Sequence, residues 1–278
     1  MKIFLCNEVI RDLDFPQQCV FARETGYDGL EIAPFTLSDR PHRMSAGEIG
    51  GFRAVAAAEG VKIPGLHWLL AAPPGLSITS EDDSVAAATL DFGRRLVDLC
   101  AELGGTYLVH GSPAQRGLEK GRESEGRRRG QAYLAAIAQT AEKAGVTYII
   151  EPLSRLDTSF VTSVDEAVAM IEEIGSAALS TMIDCYAAAS NAENIPLLLH
   201  RWATRGTVRH LHFNDDNRRG PGEGSTDFPA IMEALRTLDY SGTSAVEPFV
   251  YSPDGRSCAA RAIGYLRGLL DHRQRADP

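Results

Sequence analysis

Four residues, each closing a short apolar run, carry the chemistry of this chain: Glu151 after Tyr148-Ile149-Ile150, Asp184 after Met182-Ile183, His212 after His210-Leu211, and Glu247 after Ala245-Val246. An ionised carboxylate at a strand end is costly unless it is paired or bound to a metal. Three of them in one place repel one another, and a divalent cation cancels that repulsion. Three oxygen donors and one imidazole suit Mn²⁺, Mg²⁺ or Co²⁺ better than an ion that prefers thiolates. Taken singly, each of the four is equally well explained by a surface salt bridge. Taken together, Glu151, Asp184, His212 and Glu247 are expected to hold one divalent ion.

Other polar residues close runs of the same kind. His67-Trp68 and His110-Gly111-Ser112 each end an apolar stretch, and both histidines are expected to contact substrate. His210 lies two residues before His212, so it faces the same side one layer deeper and reads as a hydrogen-bonded interior histidine. Glu31 ends another run and either reaches a pocket or forms a structural ion pair. Trp68 walls the pocket or packs under a loop. Cys185, beside Asp184, reads as inert packing.

The elements that must position these residues alternate regularly. Residues 2–7, 29–32, 63–69, 106–110, 146–151, 179–184, 208–213 and 244–247 read as strands, and 15–25, 45–59, 80–103, 125–144, 163–174, 194–204, 227–238 and 256–270 as helices. Gly26, Gly60, Gly104 and Gly145 stop four of the helices, and Ser163 with Glu166 is a capping box. Eight alternating units of this type predict an α/β fold, a single (β/α)8 TIM barrel forming one domain over residues 1–278. A doubly wound open sheet is the alternative, but its glycine fingerprint is missing after the first strand, where the chain reads Cys6-Asn7-Glu8-Val9. In a barrel the C-terminal strand ends form one rim, so the four candidate ligands come from four consecutive strands to one place. Residues 116–129, with five arginines, one lysine, three glutamates and three glycines, lie between the fourth strand and its helix. They read as a solvated loop and helix start, or as a mobile flap over the pocket. Gly220-Pro221-Gly222 reads as a turn.

Composition narrows the partners. A formal net charge of −9 disfavours nucleic acid as the main partner and is neutral towards small uncharged substrates. The longest apolar run falls well short of the ~20 residues that span a bilayer, so no membrane partner is expected. Five cysteines at 6, 19, 100, 185 and 258 form no C-x-x-C pair, and the first residues lack a signal-peptide pattern; both predict a reduced, cytoplasmic setting. Outer helices of such barrels leave room for a homo-oligomer.

Several segments together resemble a known family. They are Ile150-Glu151-Pro152-Leu153-Ser154-Arg155, Ile183-Asp184-Cys185-Tyr186, His210-Leu211-His212 followed by Asp216-Asn217-Arg218, Pro221-Gly222-Glu223-Gly224, and Val246-Glu247-Pro248-Phe249. They resemble the sugar phosphate isomerase/epimerase group of the xylose-isomerase-like barrels, which includes the ketose 3-epimerases. The resemblance covers essentially the whole chain and is densest from 147 to 250. It implies that Glu151, Asp184, His212 and Glu247 are metal ligands and that Arg218 binds substrate. Two positions depart from the pattern of the ketose 3-epimerases. Ala187 stands where they carry a substrate-binding histidine, and Asp157 where they carry a glutamate, leaving His67 or His110 to fill the gap. The loop 214–218 is also similar to that of 3-keto-glycoside epimerases.

The expected function is therefore an isomerase. It is a divalent-metal-dependent epimerase or isomerase of a keto-sugar or keto-glycoside, with Mn²⁺ foremost and Mg²⁺, Co²⁺ or Zn²⁺ as alternatives. A C–H bond beside a ketone is too weak an acid for an unaided carboxylate. A metal at the carbonyl stabilises the enediolate, and Glu151 and Glu247 can act as the acid/base pair on opposite faces. Arg218, Asp157, His67 and His110 are the expected substrate contacts. A keto-sugar or keto-inositol dehydratase or lyase begins with the same enolate and is the alternative. An abasic-site endonuclease is disfavoured by the seven histidines and the net charge, and a non-catalytic barrel by the intact set of four.

Overall fold

The computed structural model describes residues 1–274. Eight parallel strands follow one another in the order β2-β1-β8-β7-β6-β5-β4-β3. They are β1 (Lys2–Cys6), β2 (Leu30–Glu31), β3 (Gly65–Leu66), β4 (Tyr107–His110), β5 (Thr147–Ile150), β6 (Leu179–Asp184), β7 (Val208–Phe213) and β8 (Thr243–Val246). Bridges Gly29↔Lys62 and Ile32↔Leu66 join the two ends of that row. Backbone bonds from Leu30 N to Lys62 O (2.9 Å) and from His67 N to Ile32 O (3.0 Å) complete the closure. The result is a single (β/α)8 TIM barrel, as the alternating pattern predicts.

The second and third strands are two residues each, shorter than expected. At this seam the backbones nearly touch: a side chain at Gly29 would overlap the Lys62 carbonyl. Prolines at 64 and 34 also remove ladder donors nearby.

Helices α1 (Phe15–Thr25), α2 (Ala46–Ala58), α3 (Asp83–Leu103), α4 (Glu123–Ala144) and α5 (Val164–Ile174) follow the first five strands, and their bounds lie within three residues of the predicted ones. Asp14 with Gln17 and Ser45 with Glu48 cap α1 and α2 reciprocally. Gly104 stops α3 in the left-handed conformation, φ 84°, which its missing side chain permits. After β6 the chain departs from expectation. Asp184 caps a short helix α6 (Cys185–Ser190), and the predicted helix 194–204 is split into α7 (Ile195–Leu198) and a π-turn (Leu199–Ala203). Helices α8 (Phe228–Thr237) and α9 (Gly255–Gln274) complete the ring.

The main core lies between the strands' outer faces and the helices. Tyr107, Val109, Ile149 and Met182 form a separate buried cluster on the alternate residues of β4, β5 and β6, which face the barrel axis. Among the described residues no helix is long and apolar enough to cross a membrane. All five cysteines are free and buried.

Contacts along the charged segment 116–129 favour a tethered loop and helix start over a mobile flap. Its second half is nearly the first two turns of α4. Arg116 is fully buried and donates from Nη2 to the Glu151 carbonyl at 2.6 Å, and Leu118 N donates to Ser159 Oγ at 2.8 Å. Arg122, Arg127 and Arg129 pair with Glu81, Glu166 and Asp83. Its charge density comes from partners on neighbouring helices and loops, which a local reading cannot see.

Candidate active site

Glu151 directly follows β5, Asp184 ends β6, His212 is the penultimate residue of β7, and Glu247 directly follows β8. One donor atom from each lies within 4.8 Å of the other three. All four side chains are buried. The alternation along β7 aims both His210 and His212 inward, and the parallel register sets Asp184 beside His212.

Each of the four is held by a distinct device. His212 Nε2 lies 2.9 Å from Glu31 Oε1. A carboxylate only accepts, so Nε2 carries the proton and Nδ1 faces the cluster. Glu31 is itself held by the Tyr107 hydroxyl. Asp184 Oδ1 accepts from Ala187 N and Oδ2 from Asn214 Nδ2, both at 2.7 Å. Asn214 also donates to the Glu247 carbonyl at 3.1 Å and accepts from Tyr186 N at 2.7 Å, joining three of the converging strands' exits. Glu247 Oε1 lies 3.0 Å from His67 Nδ1. The Glu151 carboxylate fills the space where a β-carbon at position 111 would lie, and the residue there is Gly111.

The electrostatics are those of buried, crowded acids. Burial, then the neighbouring Glu151 and Glu247 carboxylates, pushes Asp184 up to about 8. Burial foremost also raises Glu151. For Glu247 burial is outweighed by His212 and His67, which hold it down at about 2. His212 Nδ1 lies 2.8 Å from Glu247 Oε2 and 3.5 Å from Glu151 Oε1. Neither contact is aligned as a hydrogen bond, but the charged imidazole still attracts both carboxylates, which is how it holds Glu247 down. An imidazole nitrogen facing three crowded carboxylates fits a divalent cation.

A cavity of about 150 Å³ opens above the three carboxylates. Trp68, Leu153, Tyr186 and Phe249 supply much of its apolar wall, and Ala187 lies beside them. Arg218 sits at the mouth, donating from Nη2 to both oxygens of Asp157 (3.1 and 3.2 Å), with its guanidinium 4.6 Å from the Tyr186 ring centre. Trp68 and Arg218 both have positive φ, 51° and 66°, a costly conformation for such residues.

Two expected substrate contacts lie elsewhere. His67 is buried behind Glu247, between that residue and Glu8. His110 is buried below the rim, with Nδ1 2.8 Å from the Tyr148 hydroxyl, and burial foremost holds its pKa well below the usual value. Neither lines the cavity, so neither fills the space left at Ala187. Of the two readings of Glu31, the structure has the ion pair. Glu8, Asn214, Tyr186 and Phe249 were not singled out for the site. Tyr186 and Phe249 had a signal, lying two residues beyond candidate ligands in sequence, whereas Glu8 lies in a 3-10 turn (Asn7–Ile10) just past the predicted first strand, where no local pattern marks it.

Comparison with known proteins follows this geometry. The family model described as xylose isomerase-like TIM barrel matches residues 19–269. The L-ribulose 3-epimerase of Mesorhizobium japonicum is 27% identical over 228 residues, 82% of this chain and 73% of that protein. The fructoselysine 3-epimerase of Shigella flexneri is 27% identical over 270 residues, 91% of this chain and 92% of that one. A crystal structure of D-psicose 3-epimerase in the presence of D-fructose superposes with a TM-score of 0.81 at 20% identity, covering 97% of this chain and 99% of that chain, a likeness of fold.

Proposed function

Since the chain belongs to the xylose isomerase-like TIM barrel family, we propose that it is a divalent-metal-dependent epimerase of an unphosphorylated keto-sugar or keto-glycoside. The observation that carries this reading is the convergence of His212 Nδ1 and three buried carboxylates, one donor atom of each within 4.8 Å of the others. Glu151, Asp184, His212 and Glu247 would hold the ion, with Mn²⁺ the expected metal. Bound there, it supplies Lewis acidity to a ketone and its neighbouring hydroxyl.

The chain's own residues do the rest. Glu31 keeps the proton on His212 Nε2, so Nδ1 stays a donor towards the ion. Glu151 and Glu247 approach the substrate from strands three steps apart. One takes the proton beside the ketone, and the other returns a proton to the opposite face; the reverse reaction exchanges their roles. Arg218, oriented by Asp157, offers donors to substrate hydroxyls at the mouth. Trp68 and Phe249 exclude water. Among the described residues lining the cavity, Arg218 is the sole cation and is already paired, against the carboxylates of Glu151, Asp157, Asp184 and Glu247. That balance disfavours a phosphorylated sugar. The 3-epimerase relatives support the reaction class, and five buried free cysteines support a reduced, cytoplasmic setting.

The test is incubation of metal-stripped and Mn²⁺-loaded protein in D₂O with L-ribulose, D-fructose, fructoselysine and a 3-keto-glucoside. The expected result is Mn²⁺-dependent appearance of an epimer carrying one deuterium at the inverted carbon. Loss of water from the substrate would instead make the chain a lyase.

A further inference from the structure

Glu247 has three rotatable side-chain bonds, and its carboxylate must stay turned towards His212 for the cluster to exist. What holds it is a chain of buried polar groups on the side away from the cavity. His67, immediately after β3, places Nδ1 3.0 Å from Glu247 Oε1 and Nε2 2.9 Å from Glu8 Oε2. Both neighbours are carboxylates and only accept, so both ring nitrogens donate. One oxygen of Glu247 is thereby fixed, and the other, Oε2, lies 2.8 Å from His212 Nδ1. The His67 and His212 rings meet edge to face at 5.8 Å, which fixes the plane of the donating imidazole.

The far end of the chain is anchored as well. Asn7, beside Glu8, donates from Nδ2 to Gln18 and Thr36 at 3.0 and 2.7 Å and accepts from Ala33 N at 2.8 Å. The turn that carries Glu8 is thus tied to α1 and to the exit of β2. Gly255, the first residue of α9, packs so closely on the Val9 carbonyl that a side chain there would overlap it.

We infer that Glu8 and His67 are positioning residues, a carboxylate–imidazole pair that fixes one oxygen of Glu247 so that the other is presented to the metal. This rests on the metal reading above. It also assigns a purpose to two buried polar residues that never reach the cavity.

A positioning role and a charge role make opposite predictions. An imidazolium that acted only through its charge would repel a divalent ion, so its removal would tighten metal binding. Positioning predicts the reverse. The experiment is calorimetric titration of metal-stripped protein with Mn²⁺ for wild type, His67→Leu and His67→Asn, each also in a Glu247→Ala background, with unfolding temperature as the fold control. His67→Leu should weaken Mn²⁺ binding roughly ten- to hundredfold, the usual effect of losing a group that orients a ligand. His67→Asn keeps an N–H near the position of Nδ1 and should restore most of the affinity. In the Glu247→Ala background the effect of His67→Leu should fall to less than about twofold, because residues that act through one another are not additive. If His67→Leu fails to fold, His67→Ala takes its place. Unchanged or tighter binding in the deletion variant, or the same loss without Glu247, overturns the inference while leaving the metal site standing. Failure of the wild type to bind Mn²⁺ overturns both.

Discussion

Gly111 has no side chain, and the site depends on that. The Glu151 carboxylate occupies the volume that a β-carbon there would need. Gly111→Ala should therefore leave the unfolding temperature within a few degrees of wild type yet lower kcat/KM about ten- to hundredfold, the scale of a displaced ligand; an unchanged rate would show that Glu151 is not tied to that position. Asn214 makes a second residue-scale prediction. Its amide nitrogen serves both Asp184 and the Glu247 carbonyl, so Asn214→Asp deletes two buried donors and sets a fourth carboxylate beside the other three. Urea unfolding of the metal-stripped variant should show a loss of about 3 kcal/mol. Ala187 bears on the substrate. A pocket built to hydrogen-bond a hydroxyl discriminates strongly, and an alanine there gives up that bond, about 1–3 kcal/mol of transition-state binding. With His67 and His110 both directed elsewhere, kcat/KM on fructoselysine or a 3-keto-glucoside should exceed that on free D-fructose. Equal or faster turnover of the free ketose would remove any meaning from Ala187. The four clustered side chains are legible in the sequence because each stands at the end of an apolar run, where local pattern and barrel geometry agree. An ion pair at Glu31 is one of its two sequence readings, but which residues Glu31 and Glu8 pair with is not legible, because they meet His212 and His67 across 181 and 59 residues of chain, and only the closed barrel decides who faces whom.

At the scale of elements, the same contrast separates the helices from the loops. Helix bounds follow from caps and glycine stops, which are local signals, and α1 to α5 lie close to where these place them. The rim follows from tertiary contacts. Helix α6 exists because Asp184 accepts from Ala187 N, so one carboxylate both caps a helix and faces the cluster; three consecutive alanines carry no period that marks such a turn. Residues 116–129 show the reverse case, a segment whose composition suggests mobility and whose contacts favour a tether. Arg116 is clamped to the Glu151 carbonyl, and three further arginines are paired. Despite its basic residues, this segment should resist trypsin in the native protein. An early cut after Lys120 or Arg122 in limited proteolysis, before any loss of circular dichroism, would contradict the tether.

At the scale of the whole molecule, the barrel gathers buried charge that a cation would relieve, and stability should report it. In metal-stripped protein Asp184 is held up at about 8, so above its ordinary value of 3.8 the folded state retains a proton that the unfolded state has released. Stability therefore falls as pH rises through this range. His67, pulled down by burial but raised to about 10 by Glu8 and Glu247, contributes in the same sense above its ordinary 6.5. His110 and His210, held low by burial foremost, oppose it only below 6.5. Between pH 6.5 and 8 Asp184 and His67 act together. The unfolding temperature of the stripped protein should drop across that interval, and the rise on adding Mn²⁺ should grow, since bound metal stabilises by mass action and displaces the proton. A metal increment that is flat with pH would speak against an ion among these carboxylates. The most direct test of the account is the anomalous-scattering map of a crystal grown with Mn²⁺. The account predicts one peak, with Glu151, Asp184, His212 Nδ1 and Glu247 as its protein ligands at about 2.0–2.3 Å. No peak there, or a peak bound by other side chains, would contradict it.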